Sequence, residues 1–292
     1  NLYDLNEKQR TFQRNKAFIG MELVPGTRRL ALMNCLLHGM EGDEQGVIHL
    51  GNTLGSAGSS LPKSDIILSN PPFGTAKGGG GPTRDDFTHS TSNKQLAFVQ
   101  HIYRHLKDGG RAAVVLPDNV LFEAGVGADV RRDLMDKCRL HTILRLPTGI
   151  FYAQGVKANV IFFDNKASSK DPHTKDVWVY DYRTNVHHTL KKNPLKLEDL
   201  RDFIQCYHPT NRNVRKDTYD AVSNPEGRWR KFTYTELIAR DKTSLDITWL
   251  KDKSLADLDN LPDPDVLAEE IIENLEAGLE SFRSVLRGLA VR

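Results

Sequence analysis

The stretch that decides the fold of this chain reads Ser64-Asp65-Ile66-Ile67-Leu68-Ser69-Asn70-Pro71-Pro72-Phe73-Gly74. Its apolar, β-branched run predicts a strand buried on both faces, as in the interior of a parallel sheet. The two prolines force the chain out of the sheet because neither donates a hydrogen bond to a neighbouring strand. Asn70 is held extended by the proline that follows it. The pattern therefore predicts a rigid projection at the carboxyl end of a strand, where open α/β sheets bind ligands.

Two interpretations of this projection compete. Asn-Pro is a common turn signal, and a bare Asn-Pro-Pro indicates only a tight exit from a strand. The buried strand before the prolines and the aromatic residue after them favour a functional role instead. With these neighbours, residues 69–73 resemble the [DNS]-P-P-[YFW] signature of DNA amino-methyltransferases, in its adenine-N6 form.

The chemistry of the exocyclic adenine nitrogen explains these residue types. Its lone pair is delocalised into the ring, so N6 is a poor nucleophile. Acceptors on its two hydrogens, the Asn70 side-chain oxygen and the Pro71 carbonyl, draw the nitrogen towards a tetrahedral geometry and direct its lone pair at a methyl donor. The base has to leave the duplex to be reached, and Phe73 is expected to stack on it. The Gly-rich residues 75–90 predict a flexible loop beside this site. Residues 91–94 are expected to cap a helix that runs to about Lys107 and is ended by Gly109-Gly110.

Bulk properties exclude several classes of protein. No apolar run in the 292 residues is long enough to span a bilayer and no signal peptide is visible, so no membrane association is expected. Three widely spaced cysteines argue against a disulfide framework and a zinc site, and for a reducing compartment, the cytoplasm. His101 and His105 have a spacing that metals use, but without a third ligand we expect solvated helix histidines and no metal. A basic body and an acidic segment, 257–280, are compatible equally with a phosphate-facing surface and with scattered solvated charge.

Predicted strands and helices alternate between residues 17 and 163, which is typical of a doubly wound α/β sheet. Residues 17–23 form a short strand ending near the carboxylate of Glu22, with Thr27 as a candidate N-cap for the next helix. A carboxylate at this place suits recognition of ribose hydroxyls. Asn52 follows another strand and is placed to contact an adenine edge. A solvent-exposed strand end and a plain turn are the alternatives for these two residues.

The character of the sequence changes beyond residue 165. A strand at 176–181 is expected at an edge of the sheet. The sheet domain spans 1–185, and a loop-rich extension, 186–264, is expected to pack on it. Apolar residues at steps of three and four predict a long amphipathic helix in 265–292. Packing on its own domain and docking onto a helix of a partner both fit this pattern, and we favour docking.

Taken together, several segments make the chain similar to the modification (methyltransferase) subunits of type I restriction–modification systems. The resemblance covers nearly the whole chain and rests on residues 18–27, 50–55, 70–74, 91–95 and 144–152. It implies transfer of a methyl group from S-adenosylmethionine to adenine N6 in double-stranded DNA. It also implies a complex of two modification subunits with one specificity subunit, which a restriction subunit joins.

The resemblance assigns roles on the base side of the site. Asn70, Pro71 and Phe73 correspond to the catalytic motif, and Phe73 stacks on the flipped base. Phe151 falls where the family supplies a second aromatic ring near that base. The helix in 265–292 corresponds to the segment that contacts the specificity subunit.

On the cofactor side, the resemblance places Glu22 at the ribose, Asn52 at the adenine, and Asn70 beside the cofactor as well. The Gly-x-Gly cofactor loop of the family has no counterpart ahead of the strand at 17–23. We therefore expect a Rossmann-like doubly wound sheet without its N-terminal strand, which in the family lies between the strands ending at Glu22 and Ser69. Two hydrogen-bonding edges are then left open. The chain is expected to be a C-terminal fragment that does not methylate by itself.

Two other functions remain open from the sequence. The chain is compatible with a non-catalytic assembly module that docks a specificity subunit through residues 265–289. It is also compatible with an amino-methyltransferase acting on RNA or on protein glutamine, because such enzymes share the Asn-Pro-Pro-aromatic motif. The flanking sequence favours DNA.

Overall fold

The computed structural model describes residues 4–73, 82–153 and 155–253, together with residues 268, 269, 271–273, 275, 276, 279 and 283 of a C-terminal helix. The described helices are α1 (Glu7–Asn15), α2 (Pro25–Leu37), α3 (Ser56–Ser59), α4 (Lys94–His105), α5 (Asn119–Phe122), α6 (Val126–Lys137), α7 (Arg201–Tyr207) and α8 (Tyr234–Ala239). The strands are β1 (Gly20–Glu22), β2 (Ile48–Leu50), β3 (Ser64–Ser69), β4 (Leu106–Pro117), β5 (Cys138–Arg145), β6 (Ala158–Asn165), β7 (Asp176–Asp181) and β8 (Trp229–Thr233). Residues 74–81, the centre of the predicted Gly-rich loop, and most of 265–292 lie outside the described residues.

Six strands form a mixed sheet in the order β3-β4-β6-β5-β7-β8. The pairs β3–β4 and β5–β7 are parallel, whereas β4–β6, β5–β6 and β7–β8 are antiparallel. The α/β fold is therefore confirmed, with a sheet of mixed rather than uniformly parallel strands. Because β8 pairs outside β7, the expectation that 176–181 forms an edge strand is wrong. Its aromatic residues Trp178 and Tyr180 are covered by the additional strand instead.

A second, two-stranded sheet holds β1 and β2 in parallel. Within the described residues β1 pairs only with β2, and β3 pairs only with β4, so each has one edge without a strand partner. These are the two edges that the sequence predicts to be open. The expected single doubly wound sheet is thus divided into two sheets in this chain.

The prediction that β3 is buried on both faces is wrong. Ile67 packs against the main core, but Ile66 is 52% exposed and Leu68 is 78% exposed. The physical reason is that helices cover only the Ile67 face at this end of the sheet. The other face opens into a cavity of about 530 Å³ between Ile66, Leu68 and the side chains of Phe162 and Arg212.

Apolar side chains alternate along the strands and form one core on each face of the six-stranded sheet. On β6, Ile161 and Phe163 join the core that contains Leu96 of α4 and Leu134 of α6. Val160 and Phe162 face the other core. That second core is aromatic, and contains Tyr180, Phe203 and Trp229.

The helix boundaries follow local chemistry with two exceptions. Asn93 caps α4 as predicted, since its side-chain oxygen accepts hydrogen bonds from the backbone of Gln95 and Leu96. Thr27 does not cap α2, which begins at Pro25, because proline suits the first turn of a helix. Gly109 and Gly110 do not end α4, which stops at His105; they lie within β4, where the register to β3 shifts.

Because the faces of the sheet are covered unevenly, the same leucine-to-alanine substitution is expected to change the free energy of unfolding by different amounts at two positions. Leu68→Ala is expected to change the free energy of unfolding by less than about 0.5 kcal/mol, because the side chain is 78% exposed. Leu116→Ala is expected to cost about 2–5 kcal/mol, because Leu116 is 0% exposed. Urea unfolding of both variants measures the two values, and equal costs would contradict the open face at β3.

Candidate active site

The projection after β3 is present as the sequence predicts. Ser69, the last residue of β3, pairs with Val114 of β4, and the chain leaves the sheet at Asn70. Pro71 is buried and fixes the turn, whereas Asn70 is exposed. Among the described residues no hydrogen bond engages the Asn70 side-chain amide. Its oxygen and nitrogen are therefore available at the carboxyl end of β3.

Two aromatic rings meet beside this projection. Phe73 and Phe151 lie edge to face, with ring centroids 5.6 Å apart. Both pack against the aromatic core of the sheet. Phe151 comes from the connection between β5 and β6, more than seventy residues along the chain from Phe73. The structure thus brings together the two rings that the sequence resemblance assigns to base stacking.

Glu22 and Asn52 lie at the ends of the neighbouring strands β1 and β2. Glu22 is in register with Leu50, and the Gly51 N–H donates to the Glu22 carbonyl at 3.0 Å. One carboxylate oxygen of Glu22 accepts the Val24 N–H at 2.8 Å, and the Asn52 side-chain oxygen accepts the Leu54 N–H at 3.0 Å. These contacts fix both side chains in tight turns at one edge of the small sheet. The remaining Glu22 oxygen and the Asn52 amide group fit the hydroxyl and base edges of a nucleoside.

Arg84 connects the Glu22–Asn52 pair to the rest of the site. It forms a two-pronged ion pair with Asp86, at 2.7 and 2.5 Å, and its guanidinium lies 4.6 Å from the Phe87 ring centroid. The same guanidinium donates to the Thr53 carbonyl at 3.4 Å. The Thr83 N–H also donates to the carbonyl of Leu54. The described part of the predicted loop 75–90 is therefore attached to the turn that carries Asn52, although β1 and β3 share no hydrogen bonds.

His101 is part of this attachment, which corrects the expectation of solvated histidines on α4. Its Nδ1 lies 2.8 Å from the Arg84 guanidinium, and both His101 and His105 are buried. Burial, together with His105 and Arg84, lowers the pKa of His101 to about 3. His101 is therefore a neutral acceptor for Arg84. Within the described residues no three His, Cys, Asp or Glu side chains are grouped as a metal site requires.

An ionic cluster that is not predicted from the sequence lies at the same edge of the large sheet. Asp118 follows the last residue of β4 and forms a two-pronged ion pair with Arg183, at 2.7 and 2.8 Å. Asn159 donates to the same carboxylate at 2.8 Å. Burial opposes ionisation of Asp118, but Arg183 outweighs it and lowers the pKa of the carboxyl group. Asp118 could have been recognised in the sequence as a carboxylate directly after a buried strand. No local sequence pattern indicates a role for Arg183.

The fold agrees with comparisons to known proteins. A family model described as N-6 DNA Methylase matches residues 3–246. The chain belongs to the N-6 DNA methylase family. Among curated relatives, it is 51% identical over 319 residues to the type I restriction enzyme StySJI methylase subunit of Salmonella typhimurium and to the EcoKI methylase subunit of Escherichia coli K12. These matches confirm the resemblance to type I methylase subunits.

The matches cover 99% of this chain but 59% of each relative, so the chain spans well under two thirds of their length. The crystal structure of the EcoKI M protein superposes with a TM-score of 0.78 at 50% identity, covering 98% of this chain and 63% of that one. A modification subunit of a putative type I restriction enzyme from Vibrio vulnificus superposes with a TM-score of 0.63 at 26% identity, covering 87% and 52%. Within the part of the chain that the structure describes, no helix is long and apolar enough to cross a bilayer.

The buried His101 predicts a pH dependence of stability. Between the ordinary histidine pKa near 6.5 and about 3, the unfolded chain binds a proton that the folded chain excludes. The free energy of unfolding therefore falls as the pH falls through this window, by up to about 1.4 kcal/mol per pH unit for one histidine. His101→Asn keeps an acceptor for Arg84 but cannot be protonated, so it is expected to flatten this dependence.

Urea unfolding at a series of pH values between about 6 and about 4 measures the effect. His187→Asn, which changes an exposed histidine, is the matched control. Identical slopes for wild type and His101→Asn would show that His101 is not buried as a neutral group.

Proposed function

We propose that this chain is part of a type I modification methyltransferase that transfers a methyl group from S-adenosylmethionine to adenine N6 in double-stranded DNA. The observation that carries the proposal is the meeting of Phe73 and Phe151 beside an exposed Asn70, in a member of the N-6 DNA methylase family. An aromatic wall next to an amide and a free carbonyl is what an adenine flipped from a duplex requires. RNA and protein substrates receive no comparable support.

Asn70 and Pro71 act on the amino group of the substrate. The Asn70 side-chain oxygen and the Pro71 carbonyl each accept one N6 hydrogen. This pyramidalises the nitrogen and frees its lone pair for attack on the methyl carbon. The rigid proline turn holds both acceptors in place before the base arrives. Little reorganisation energy is therefore needed during the reaction. The proton that N6 loses leaves after methylation, when the nitrogen is a strong acid.

Glu22, Asn52 and Asn70 would hold the cofactor. Glu22 would accept hydrogen bonds from the ribose hydroxyls through the oxygen that Val24 does not engage, and the Asn52 amide would contact the adenine edge. S-adenosylmethionine supplies an activated methyl group on a sulfonium. Arg84 keeps the Asn52 turn attached to the large sheet, and thereby sets the position of this half of the site relative to α4.

The two open edges support a sheet that is completed by further sequence. A strand between β1 and β3 would satisfy the free peptide groups of both and unite the two sheets into one doubly wound, Rossmann-like sheet. The relatives contain the additional length that such a strand needs. In this proposal residues 1–185 form the methyltransferase domain, 186–264 pack on it, and this chain alone does not methylate.

The C-terminal helix is proposed to dock the specificity subunit, in a complex with a second modification subunit and a restriction subunit. Its described residues Ile271, Ile272, Leu275 and Leu279 are between 50% and 67% exposed. Apolar side chains this exposed on one helix favour burial against a partner helix.

The catalytic role of Asn70 predicts the effect of its removal from the complete subunit. Asn70→Ala is expected to lower the single-turnover rate of methyl transfer by about a thousandfold, because one of two acceptors for N6 is lost. Transfer of labelled methyl groups to DNA by the assembled complex measures the rate. Asn213→Ala, which truncates an exposed asparagine elsewhere, is the control. Wild-type activity in Asn70→Ala would refute the assignment.

The role of Glu22 predicts a loss of cofactor affinity with the local turn preserved. In Glu22→Gln the side-chain oxygen still accepts the Val24 N–H, but the negative acceptor for the ribose is gone. We expect affinity for S-adenosylmethionine to fall by about tenfold to a hundredfold in the complete subunit.

Isothermal titration calorimetry measures this affinity, with Glu226→Gln, an exposed glutamate, as the control. The same titration into the 292-residue chain tests the incomplete site. Binding by the complete subunit alone supports the proposal. Tight binding by the shorter chain would show that it holds the cofactor without the additional strand.

A further inference from the structure

The connection between β5 and β6, residues 147–157, carries Phe151 and is here termed the Phe151 loop; residue 154 lies outside the described residues. The two ends of the loop meet at a narrow neck. The Leu146 N–H donates to the Ala158 carbonyl at 2.9 Å, and the Asp118 N–H donates to the Lys157 carbonyl at 3.1 Å. Strand pairing thus ends at the neck, and the loop beyond it depends on other contacts for its direction.

A single guanidinium closes this neck. The Nε of Arg183 donates to the Leu146 carbonyl at 2.8 Å, and its Nη2 donates to the Ala158 carbonyl at 2.8 Å. The same group forms the two-pronged pair with Asp118. Its side chain is only 12% exposed. Arg183 therefore joins the end of β4, both ends of the Phe151 loop and the segment after β7, from which it originates.

We propose that Arg183 is a positioning residue for capture of the flipped base. It acts through Phe151, by holding the neck of the loop so that the Phe151 ring stays opposite Phe73. This inference rests on the proposed function, since it assumes that the two rings receive an adenine. Arg183 itself touches neither substrate nor cofactor in this scheme.

The geometry favours this role over general stabilisation of the sheet. Arg183 bonds to the carbonyls of Leu146 and Ala158, the two residues that flank the loop, and the Ala158 carbonyl accepts the Leu146 N–H as well. Arg212 provides a contrast at the opposite end of β6. It makes a similar two-pronged pair with Asp164, at 3.3 and 2.5 Å, but bonds to no carbonyl of the Phe151 loop. Two comparable ion pairs, one near each end of β6, thus differ in whether they hold the loop.

Arg183→Lys is the test variant, because an ammonium keeps the charge but cannot reach both neck carbonyls and both Asp118 oxygens at once. In the complete complex we expect its single-turnover methylation rate to fall by about tenfold to a hundredfold. The KM for S-adenosylmethionine is expected to stay within about twofold, since that half of the site is untouched. Arg212→Lys, the matched control, is expected to retain the wild-type rate.

Base flipping can be followed by fluorescence, and substitution of a residue that only stabilises the fold is not expected to change that signal. The probe is a duplex with 2-aminopurine at the target adenine, the target being located by mapping N6-methyladenine in DNA exposed to the wild-type complex. Flipping brightens the probe as it loses its stacked neighbours. We expect Arg183→Lys to change the intensity that wild type produces, and Arg212→Lys to reproduce the wild-type signal.

A double-mutant cycle tests whether the effect of Arg183 on the methylation rate depends on Phe151. If Arg183 acts through Phe151, Arg183→Lys costs little further rate once Phe151→Ala is present. Full additivity of the two losses, or a wild-type rate and signal in Arg183→Lys, would overturn the inference. If Arg183→Lys does not assemble, Asp118→Asn removes the charge that holds the Arg183 guanidinium against the two neck carbonyls, and is expected to slow methylation by about threefold to tenfold. An unchanged rate in that variant would equally overturn the inference. Failure of the wild-type complex to methylate adenine would instead refute the proposed function.

Discussion

The hydrogen-bond ladders on the two sides of β4 are the constraint on which the site depends. On one side β3 runs parallel to β4, so that Ser69 pairs with Val114 and the projection leaves at the carboxyl end. On the other side β6 runs antiparallel, and its first residue, Ala158, pairs with Pro117. A parallel and an antiparallel neighbour therefore deliver the end of one strand and the beginning of another to the same edge. Phe73 and Phe151 meet because of this arrangement.

Charged side chains lie where the hydrogen-bond ladders between the strands end. Strand ends leave carbonyl groups without backbone donors, and an unpaired carbonyl near the core is costly. Arg183, which follows β7, donates to the carbonyls of Leu146 and Ala158, and Arg145 is the last residue of β5. Arg145 bonds to the carbonyl of Ile247 and lies near Asp181 and Asp246. Buried guanidinium groups of this kind are expensive to desolvate, so their value lies in fixing several segments at once rather than in net stability.

The incomplete pairing of β1 and β3 explains why the chain contains two sheets. Strands associate when their edges and faces are both satisfied, and here the partners for one edge of each strand are absent from the described residues. The exposure of Ile66 and Leu68 has a different origin, since helices cover only the Ile67 face of β3. In the described part of the chain, the contacts of Arg84 with Thr53 and His101 connect the small sheet to the large one.

The sequence alone determined the elements that depend on local chemistry. The proline turn after Ser69, the Asn93 cap of α4 and the strand-end positions of Glu22 and Asn52 all follow from dihedral preferences, capping and periodicity over a few residues. Several short segments taken together, residues 18–27, 50–55, 70–74, 91–95 and 144–152, also identified the family.

Tertiary structure decided what depends on pairing between distant segments. Whether β3 is covered, whether β7 is an edge and whether His101 is buried are settled by elements that lie far away in the chain. Arg183 could not be anticipated for the same reason. Its partners, Asp118, Leu146 and Ala158, lie at the ends of three different strands, and only the folded sheet places their oxygens around one guanidinium.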